Sequence, residues 1–313
     1  MSTAGPAAAD VRVEIDEVSH TYPGGTVALD DVSLSIGAGL FGLLGPNGAG
    51  KSTLMRIVCT LLRPTRGEVR VANHDVVGEP REVRRLIGYL PQEFGAWRLA
   101  RVREVLDTLG RLSGLRDRRQ RAERIERTLD LVGLAAKAND KVKSLSGGMV
   151  RRLGVAQALL HEPPVLVVDE PTVGLDPEER LRFRELMAKL ARDRVILLST
   201  HIVADLGSGC RRIALLDHGK IAFEGSPEDL VARARGKVFE VTVPAGRPVQ
   251  LGAGAEEVSR TSSGGRVTIR GVASGALPEG ARPVDAPTLE EAYLAFMLAR
   301  GRTLDEVGGE EER

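Results

Sequence analysis

Short apolar runs alternate with longer amphipathic stretches from Val11 to about Gly225, and this alternation predicts an α/β domain. Apolar runs bounded by glycine, proline or charged residues are typical of buried strands. Strands are expected at Val11–Val18, Val32–Ile36, Leu40–Leu44, Gly67–Val71, Leu86–Leu90, Val165–Asp169, Arg194–Ser199, Ile213–Leu216 and Lys220–Glu224.

A block without strand signals lies between Arg101 and Leu160. Apolar residues at helical spacing predict helices at Arg101–Leu115, at Arg118–Val132 and from about Gly147 to Leu160. We therefore expect a helical insertion between two strands of the domain.

The pattern after Gly225 is that of a small α+β domain. Ser226 resembles a helix N-cap followed by proline at the first helical position, which predicts a helix to about Arg235. Two alternating strands joined by Gly/Pro/Ser-rich connections and a last helix are expected at Lys237–Val243, Gly265–Arg270 and Leu289–Arg300. The predicted organisation is a disordered lead-in at 1–10, a large domain at 11–235, an accessory domain at 236–304 and an acidic tail at 305–313.

Composition narrows the classes of partner. The chain has 313 residues, with 44 Lys and Arg against 43 Asp and Glu, so its net charge of +1 gives no general reason to expect nucleic acid. The most basic stretch, Arg116–Arg124, has no interleaved aromatic residue, which favours a solvated helix face over a polyanion contact.

Cys59 and Cys210 lack metal-type spacing and indicate a reduced, cytoplasmic protein. Since no apolar run approaches about 18 residues and no signal peptide is present, any membrane role is expected to come through a partner.

The segment Gly45–Thr53 fits the phosphate-binding loop, in which glycine is followed by four residues and then by Gly-Lys-Ser/Thr. An apolar run precedes it and a segment with helical spacing follows, so its N–H groups and the helix dipole can face an anion. Lys51 would reach the β- and γ-phosphates, and the Ser52 hydroxyl would bind Mg²⁺. The expected binding residues are Gly45, Pro46, Asn47, Gly48, Ala49, Gly50, Lys51, Ser52 and Thr53.

Two carboxylates, Asp169 and Glu170, end the apolar run that starts at Val165. Such a strand can deliver acids to the edge of an α/β sheet where ligands bind. Asp169 would hold Mg²⁺ through a water, and Glu170 would accept a proton from the water that attacks the γ-phosphate. Strands that end in acids are common, so this feature alone does not identify a site.

Ser146-Gly147-Gly148 precedes a predicted helix and forms a second terminus suited to an anion, although a plain flexible turn is an equal alternative. Four further residues are each compatible with an ordinary structural role when considered alone. They are Tyr22, Gln92, Asp176 and His201.

In order and spacing these motifs resemble the ATP-binding cassette (ABC) ATPases over residues 11–230. The resemblance implies an α/β P-loop NTPase cassette with a RecA-like core, an antiparallel β subdomain and an inserted helical subdomain at about 93–160. The small C-terminal α+β accessory domain follows this cassette. Gly45–Thr53 resembles the Walker A loop, Val165–Glu170 the Walker B strand and Leu145–Met149 the signature.

The same resemblance assigns roles to single residues. It implies that Tyr22 is the adenine-stacking aromatic and that Gln92 is the Q-loop residue that reaches Mg²⁺. It also implies that Asp176 is the D-loop residue and His201 the switch histidine. Catalysis would then depend on Lys51, Glu170 and His201.

The family mechanism implied by the resemblance is a dimer in which each ATP lies between one Walker A loop and the partner's signature. Because the chain has one of each, a homodimer or a pair with a sister cassette is expected. Ser146, Gly147, Gly148 and Asp176 would then act in trans. The implied cofactors are ATP and Mg²⁺, and the implied membrane partner is a separate permease, which would hold the chain on the cytoplasmic face of the cell membrane.

Shorter motifs point to a narrower resemblance. Met149 stands where the commonest signature has Gln, and Met149-Val150-Arg151-Arg152 resembles cassettes of multidrug and antibiotic exporters. Pro287–Tyr293 is similar to the end of the same group, which includes ATP-binding subunits of daunorubicin/doxorubicin-resistance exporters. Export of a drug or another hydrophobic compound is therefore expected.

Other functions remain open at this level. An importer cassette shares the core motifs, and a soluble ABC protein of cluster assembly is possible. A nucleotide sensor without turnover is disfavoured because Glu170 and His201 are present. Trp97, the single tryptophan, is a candidate contact with the membrane partner in the segment Gln92–Arg103, with packing inside the helical block as the equal alternative.

Overall fold

The computed structural model describes residues 11–95, 97–207, 209–247, 249 and 251–307. The chain divides into two compact units. The first contains the chain up to Leu44, Gly48–Thr200 and Asp205–Phe223, and the second contains Gly45–Asn47, His201–Ala204 and the chain from Glu224. The domain limits at 235 and 304 stay predictions.

The elements up to Gly225 alternate as the apolar pattern predicts. The strands, named β1 to β10 in chain order, are Val13–Thr21, Val27–Ile36, Gly39–Leu44, Arg66–Val71, His74–Asp75, Ile87–Leu90, Val165–Asp169, Val195–Thr200, Cys210–Asp217 and Lys220–Gly225. The helices, named α1 to α6, are Lys51–Val58, Pro80–Leu86, Val102–Leu112, Arg118–Leu131, Gly147–Leu159 and Pro177–Leu190. Short 3₁₀ turns occupy Ala135–Lys137, Val142–Ser144 and Val203–Leu206.

Two sheets are built from these strands. The first has the order β2-β1-β4-β5 and is antiparallel. The second has the order β10-β9-β3-β8-β7-β6, and its β9, β3, β8, β7 and β6 pair in parallel. Parallel pairing brings the carboxyl ends of β3, β6, β7 and β8 to one edge of the second sheet, where α/β proteins place their ligands.

Helix α1 packs against β2, β4 and β7. Its buried residues Leu54, Met55 and Ile57 belong to the same apolar core as Val167 of β7 and Leu197 of β8. Burying each such side chain stabilises the fold by about 1.5–3 kcal/mol relative to exposure. The start of α1 is therefore firmly placed beside the carboxyl ends of the central strands.

The helical insertion consists of α3, α4 and α5, which follow β6 and precede β7. An ion pair links the buried Arg121 of α4 to the half-buried Asp107 of α3, with Arg121 Nε 2.6 Å from Asp107 Oδ1. Arg121 Nη1 also donates to the carbonyl of Leu115 at 2.7 Å. Gly110 leaves the room for this side chain, because a Cβ there would lie 2.9 Å from Arg121 Cδ.

The second unit contains one antiparallel sheet of order β12-β13-β11-β14. Its strands β11 to β14 are Val238–Pro244, Ala255–Ser263, Arg266–Ala273 and Arg282–Pro283, and its helices α7 to α9 are Pro227–Arg233, Leu289–Leu298 and Leu304–Val307. Helix α8 packs on β13 and β11. Arg270 of β13 and Glu291 of α8 form two hydrogen bonds, at 2.7 and 3.0 Å.

The Gly/Pro/Ser-rich connection expected between the two C-terminal strands contains a further strand that the sequence pattern did not predict. Ala255–Ser263 forms strand β12, which pairs with β13 along its whole length. Most of its side chains are polar and exposed, so it lacks the apolar alternation that marks a half-buried strand. Within the described residues, no helix combines the length and apolarity needed to cross a membrane.

Candidate nucleotide site

The N-terminus of helix α1 has no side-chain cap. Its N-cap is Gly50, with φ of 108° and no side-chain cap. A Cβ at Gly50 would lie 2.4 Å from the carbonyl oxygen of Ala28, so glycine is required both by the left-handed backbone and by the space. A helix N-terminus of this kind is a suitable binding position for an anion such as phosphate.

Lys51 and Glu170 form a buried ion pair. Lys51 Nζ lies 3.0 Å from Glu170 Oε1, and the two side chains are 4% and 6% exposed. Burial lowers the pKa of Lys51, and the neighbouring carboxylates of Glu170 and Asp169 oppose that shift. Such an ammonium group can exchange its carboxylate for a phosphate oxygen without leaving the site.

Ser52 and Asp169 provide oxygen donors beside this pair. Ser52 Oγ donates to Asp169 Oδ1 at 3.2 Å, and Ser199 Oγ donates to the same oxygen at 2.5 Å. One hydroxyl and one carboxylate, completed by phosphate and water, are the donor set that Mg²⁺ commonly takes in nucleotide sites. The described residues contain no cluster of three or more His, Cys, Asp or Glu side chains that could hold a metal by itself.

Glu170 has an unusual backbone. Its φ is 43°, in the left-handed region that non-glycine residues rarely adopt. Its N–H donates to both the carbonyl oxygen and the hydroxyl of Ser199, each at 3.1 Å. Because β8 supplies both acceptors, the strained conformation is held in place and the carboxylate is directed towards Lys51.

Tyr22 contacts the first turn of α1. Its hydroxyl lies 3.1 Å from Thr53 Oγ1, and its ring meets His20 edge to face at 4.7 Å between centroids. His20 is fixed in turn by a 3.0 Å hydrogen bond to the carbonyl of Arg63. The half-buried Tyr22 ring is thus a fixed apolar surface on which an aromatic base can stack.

Gln92 lies two residues after the end of β6 and is exposed. The backbone around it is held by α5, since Arg151 Nη1 donates to the carbonyls of Gln92 and of Pro91, the latter at 3.3 Å. Gln157 of the same helix donates to the carbonyl of Tyr89 at 2.9 Å. The predicted Q-loop and the signature helix are therefore directly connected.

The predicted signature and D-loop residues cap two other helices. Ser146 Oγ accepts from the N–H of Met149 at 3.2 Å at the start of α5, and Ser146 and Gly147 are exposed. Asp176 Oδ1 accepts from the N–H of Glu179 at 2.8 Å at the start of α6. Each of these polar groups is satisfied within its own helix, and each lies on the surface.

Two predicted groups belong to the second unit. Gly45–Asn47 lie along the chain between the end of β3 and Gly48, and His201 directly follows β8. The residues that the structure brings together in the first unit are Lys51, Ser52, Asp169 and Glu170, with Tyr22 joined to Thr53.

Sequence reasoning missed Ser199, which contacts both Asp169 and Glu170. The available signal was a polar residue at the end of an otherwise apolar strand, next to strands that carry the acids. It also missed Glu179 and Arg152, which are joined at 3.3 Å between α6 and α5. No local pattern indicates a pair so far apart in the chain.

Comparison with known proteins identifies the family. The ABC transporter family model matches residues 29–173. The Nod factor export ATP-binding protein I of Rhizobium johnstonii is 38% identical over 74% of this chain and 74% of its own length. The chain belongs to the ABC transporter ATP-binding proteins. The protein of the same name from Paraburkholderia xenovorans is 36% identical over 75% of this chain and 78% of its own.

A solved dimeric ATP-binding cassette with bound ADP and Pi is similar in structure. It has a TM-score of 0.62 and 29% identity, and the match covers 68% of this chain and 98% of that one. The predicted P-loop ABC cassette fold is confirmed. The chain is thus an ATP-binding ATPase, the ATPase subunit of a transporter, and dimers and association with a transmembrane subunit are general in its family.

Proposed function

We propose that this ATPase works as a homodimer on the cytoplasmic face of a membrane and drives export through a separate permease. Its ATP-hydrolysing step is supported by the site in which the buried Lys51 faces Glu170 and the half-buried Ser52 faces Asp169. Phosphoryl transfer needs positioning and charge neutralisation around the γ-phosphate, and these groups are suited to that task.

Each residue has a distinct role in the proposed reaction. Lys51 and the N–H groups at the start of α1 bind the phosphates, while Ser52 and Asp169 hold Mg²⁺, which neutralises phosphate charge when bound. Glu170 leaves Lys51 when phosphate takes its place, and its freed carboxylate accepts the proton of the attacking water. Tyr22 stacks on the adenine, Gln92 reaches the metal, and His201 contacts the γ-phosphate.

The second half of the site comes from another copy. Ser146, Gly147 and Asp176 are exposed, and the buried Gly148 follows Gly147 in the first turn of α5, so these residues are available to bind the nucleotide of a second chain. ATP bound between the two copies joins them, and hydrolysis releases them. This cycle of closure and opening delivers work to the permease.

Export rather than import is supported by the relatives. Both Nod factor proteins are named for export, and they match about three quarters of this chain. The Met149–Arg152 and Pro287–Tyr293 motifs favour the drug and antibiotic exporter group, which includes daunorubicin/doxorubicin-resistance subunits. We therefore propose a drug or another hydrophobic compound as the cargo.

The proposed permease contact lies in the segment Gln92–Arg103. Trp97 is 53% exposed and Leu99 is 74% exposed. These exposures argue against packing of Trp97 inside the helical block. An exposed aromatic beside an exposed leucine suits a protein interface, where large amphipathic rings supply much of the contact energy.

Trp97→Ala tests this function. The variant is expected to copurify poorly with the proposed membrane subunit and to lose transport in vesicles, while basal ATPase activity persists. Leu112→Ala is the matched control, because Leu112 is 77% exposed at the end of α3. Unchanged copurification and transport by Trp97→Ala would refute the contact. Substrate movement in the opposite direction would show an importer, and a purely soluble complex would refute the transport role.

A further inference from the structure

Glu179 lies between the two surface elements that face a partner in the proposed dimer. Its backbone N–H donates to Asp176 at 2.8 Å, in the first turn of α6. Its carboxylate packs against the start of α5, because a Cβ added to Gly148 would lie 2.3 Å from Glu179 Oε2. One residue therefore touches both the D-loop cap and the signature glycine.

An ion pair fixes this carboxylate. Arg152 Nη2 lies 3.3 Å from Glu179 Oε1, and the two side chains are 11% and 10% exposed. Arg182 Nη1 donates to the same oxygen at 3.1 Å. At such low exposure the attraction is weakly screened, and removing either partner leaves a poorly solvated charge.

Arg152 extends the connection to a third helix. Its Nη1 donates to the carbonyls of Val132 and Gly133 at the end of α4, at 3.1 and 3.3 Å. The guanidinium group thus joins α4 and α5 of the helical insertion to α6, which follows β7. A planar fork with several fixed donors holds such a three-way contact better than an ammonium group does.

We propose that Glu179 and Arg152 are positioning residues that fix the signature and the D-loop relative to each other. Ser146–Gly148 and Asp176 then meet the partner's nucleotide as one preassembled surface. The inference rests on the proposed dimer, but it assigns a role to residues that need not touch ATP. Loss of the pair leaves the phosphate loop intact and loosens only the surface presented to the second copy.

The test measures ATP-driven dimerisation of the full chain carrying Glu170→Gln, which slows hydrolysis. Adding Glu179→Gln or Arg152→Met is expected to weaken the dimer between about twofold and thirtyfold. Binding of a fluorescent ATP analogue to the monomer is expected to stay unchanged. The double variant is expected to be little worse than either single one, since the residues act as a unit. Arg152→Lys keeps the charge and is expected to restore part of the affinity.

Glu178→Gln is the matched control. Glu178 lies one residue earlier in the same first turn, also contacts Arg182 and is 74% exposed, so it reports any effect of lost charge at the helix terminus. If the chain with both Glu170→Gln and Glu179→Gln dimerises as tightly as its Glu170→Gln parent, this inference is wrong, whereas the proposed dimer still stands. A parent that stays monomeric at saturating ATP would refute the proposed dimer and this inference with it.

Discussion

The two sides of the proposed ATP site are built differently. On the phosphate-loop side, side chains from separate elements contact each other: the buried Lys51 pairs with the buried Glu170, and the half-buried Ser52 donates to the buried Asp169. On the signature side, Ser146 and Asp176 are exposed and cap only their own helices. In the proposed site, the first side is formed by side chains of one chain that contact each other, whereas the second presents exposed polar groups to a nucleotide bound by another copy.

The helix termini show the same contrast. Helix α1 has a glycine N-cap that makes no side-chain cap, and a helix terminus of this kind suits an anion. Helix α5 has Ser146 as its N-cap, and that hydroxyl already accepts from Met149. A capped terminus is stable without ligand, which suits a surface that is exposed until a second copy arrives.

Glu170→Gln should give the largest effect, because it removes the group that activates water on the buried side. We expect turnover to fall at least about a hundredfold, the usual scale for a lost general base. ATP binding should persist, so the protein should accumulate as an ATP-bound dimer in light scattering. Glu123→Gln, which removes an exposed ion pair with Arg119, should behave as wild type. Retained turnover in Glu170→Gln would contradict the role of Glu170 as general base.

Ser146→Asp should give the next largest effect and tests the exposed side. Aspartate caps a helix as well as serine does, so the fold should be preserved. Its negative charge, however, would face the phosphates of the partner's ATP, and we expect turnover to fall about tenfold to a hundredfold.

Ser146→Asn is the control for this substitution, since asparagine is an equally good N-cap without the charge. Steady-state turnover and monomer ATP binding should be measured for both variants. Equal turnover in the aspartate and asparagine variants would mean that no phosphate approaches Ser146. Lost ATP binding by the monomer would place the signature in the chain's own site.

The smallest effect concerns His161, which anchors the end of the signature helix to the core. Its Nε2 lies 3.0 Å from the carbonyl of Ile87. Burial lowers the pKa of His161 from 6.5, so the unfolded chain binds this proton at a higher pH than the folded chain does. Stability should therefore fall as the pH drops below that value.

Melting temperatures measured from about pH 7.5 down to about pH 5.5 test this expectation. His161→Gln should flatten part of the decline. An identical pH profile for wild type and His161→Gln would contradict the lowered pKa of His161.

Local patterns were sufficient for the buried elements. The apolar run Val165–Asp169 is a wholly buried strand at the predicted residues, because five consecutive buried positions admit little else. The polar edge strand Ala255–Ser263 was missed, because its strand conformation comes from pairing with β13. Tertiary context decides such segments.

The site was predictable for a different reason. The phosphate loop and the two acids are recognisable by residue type and spacing, since their chemistry allows few substitutes. The ion pair of Arg152 and Glu179 was not predictable, because a contact of 3.3 Å between two helices produces no pattern in the sequence of either helix. The exposure of Trp97 likewise depends on packing that spacing does not specify.

The central claim, that one chain holds only half of a working ATP site, is tested most directly by turnover at varied protein concentration. Specific activity of the wild-type chain at saturating ATP and Mg²⁺ should be measured over a wide dilution series, with the mass of the particles determined in the same samples. The account predicts that specific activity rises with concentration and reaches a plateau as dimers form. Undiminished turnover in samples that contain only monomers would contradict it.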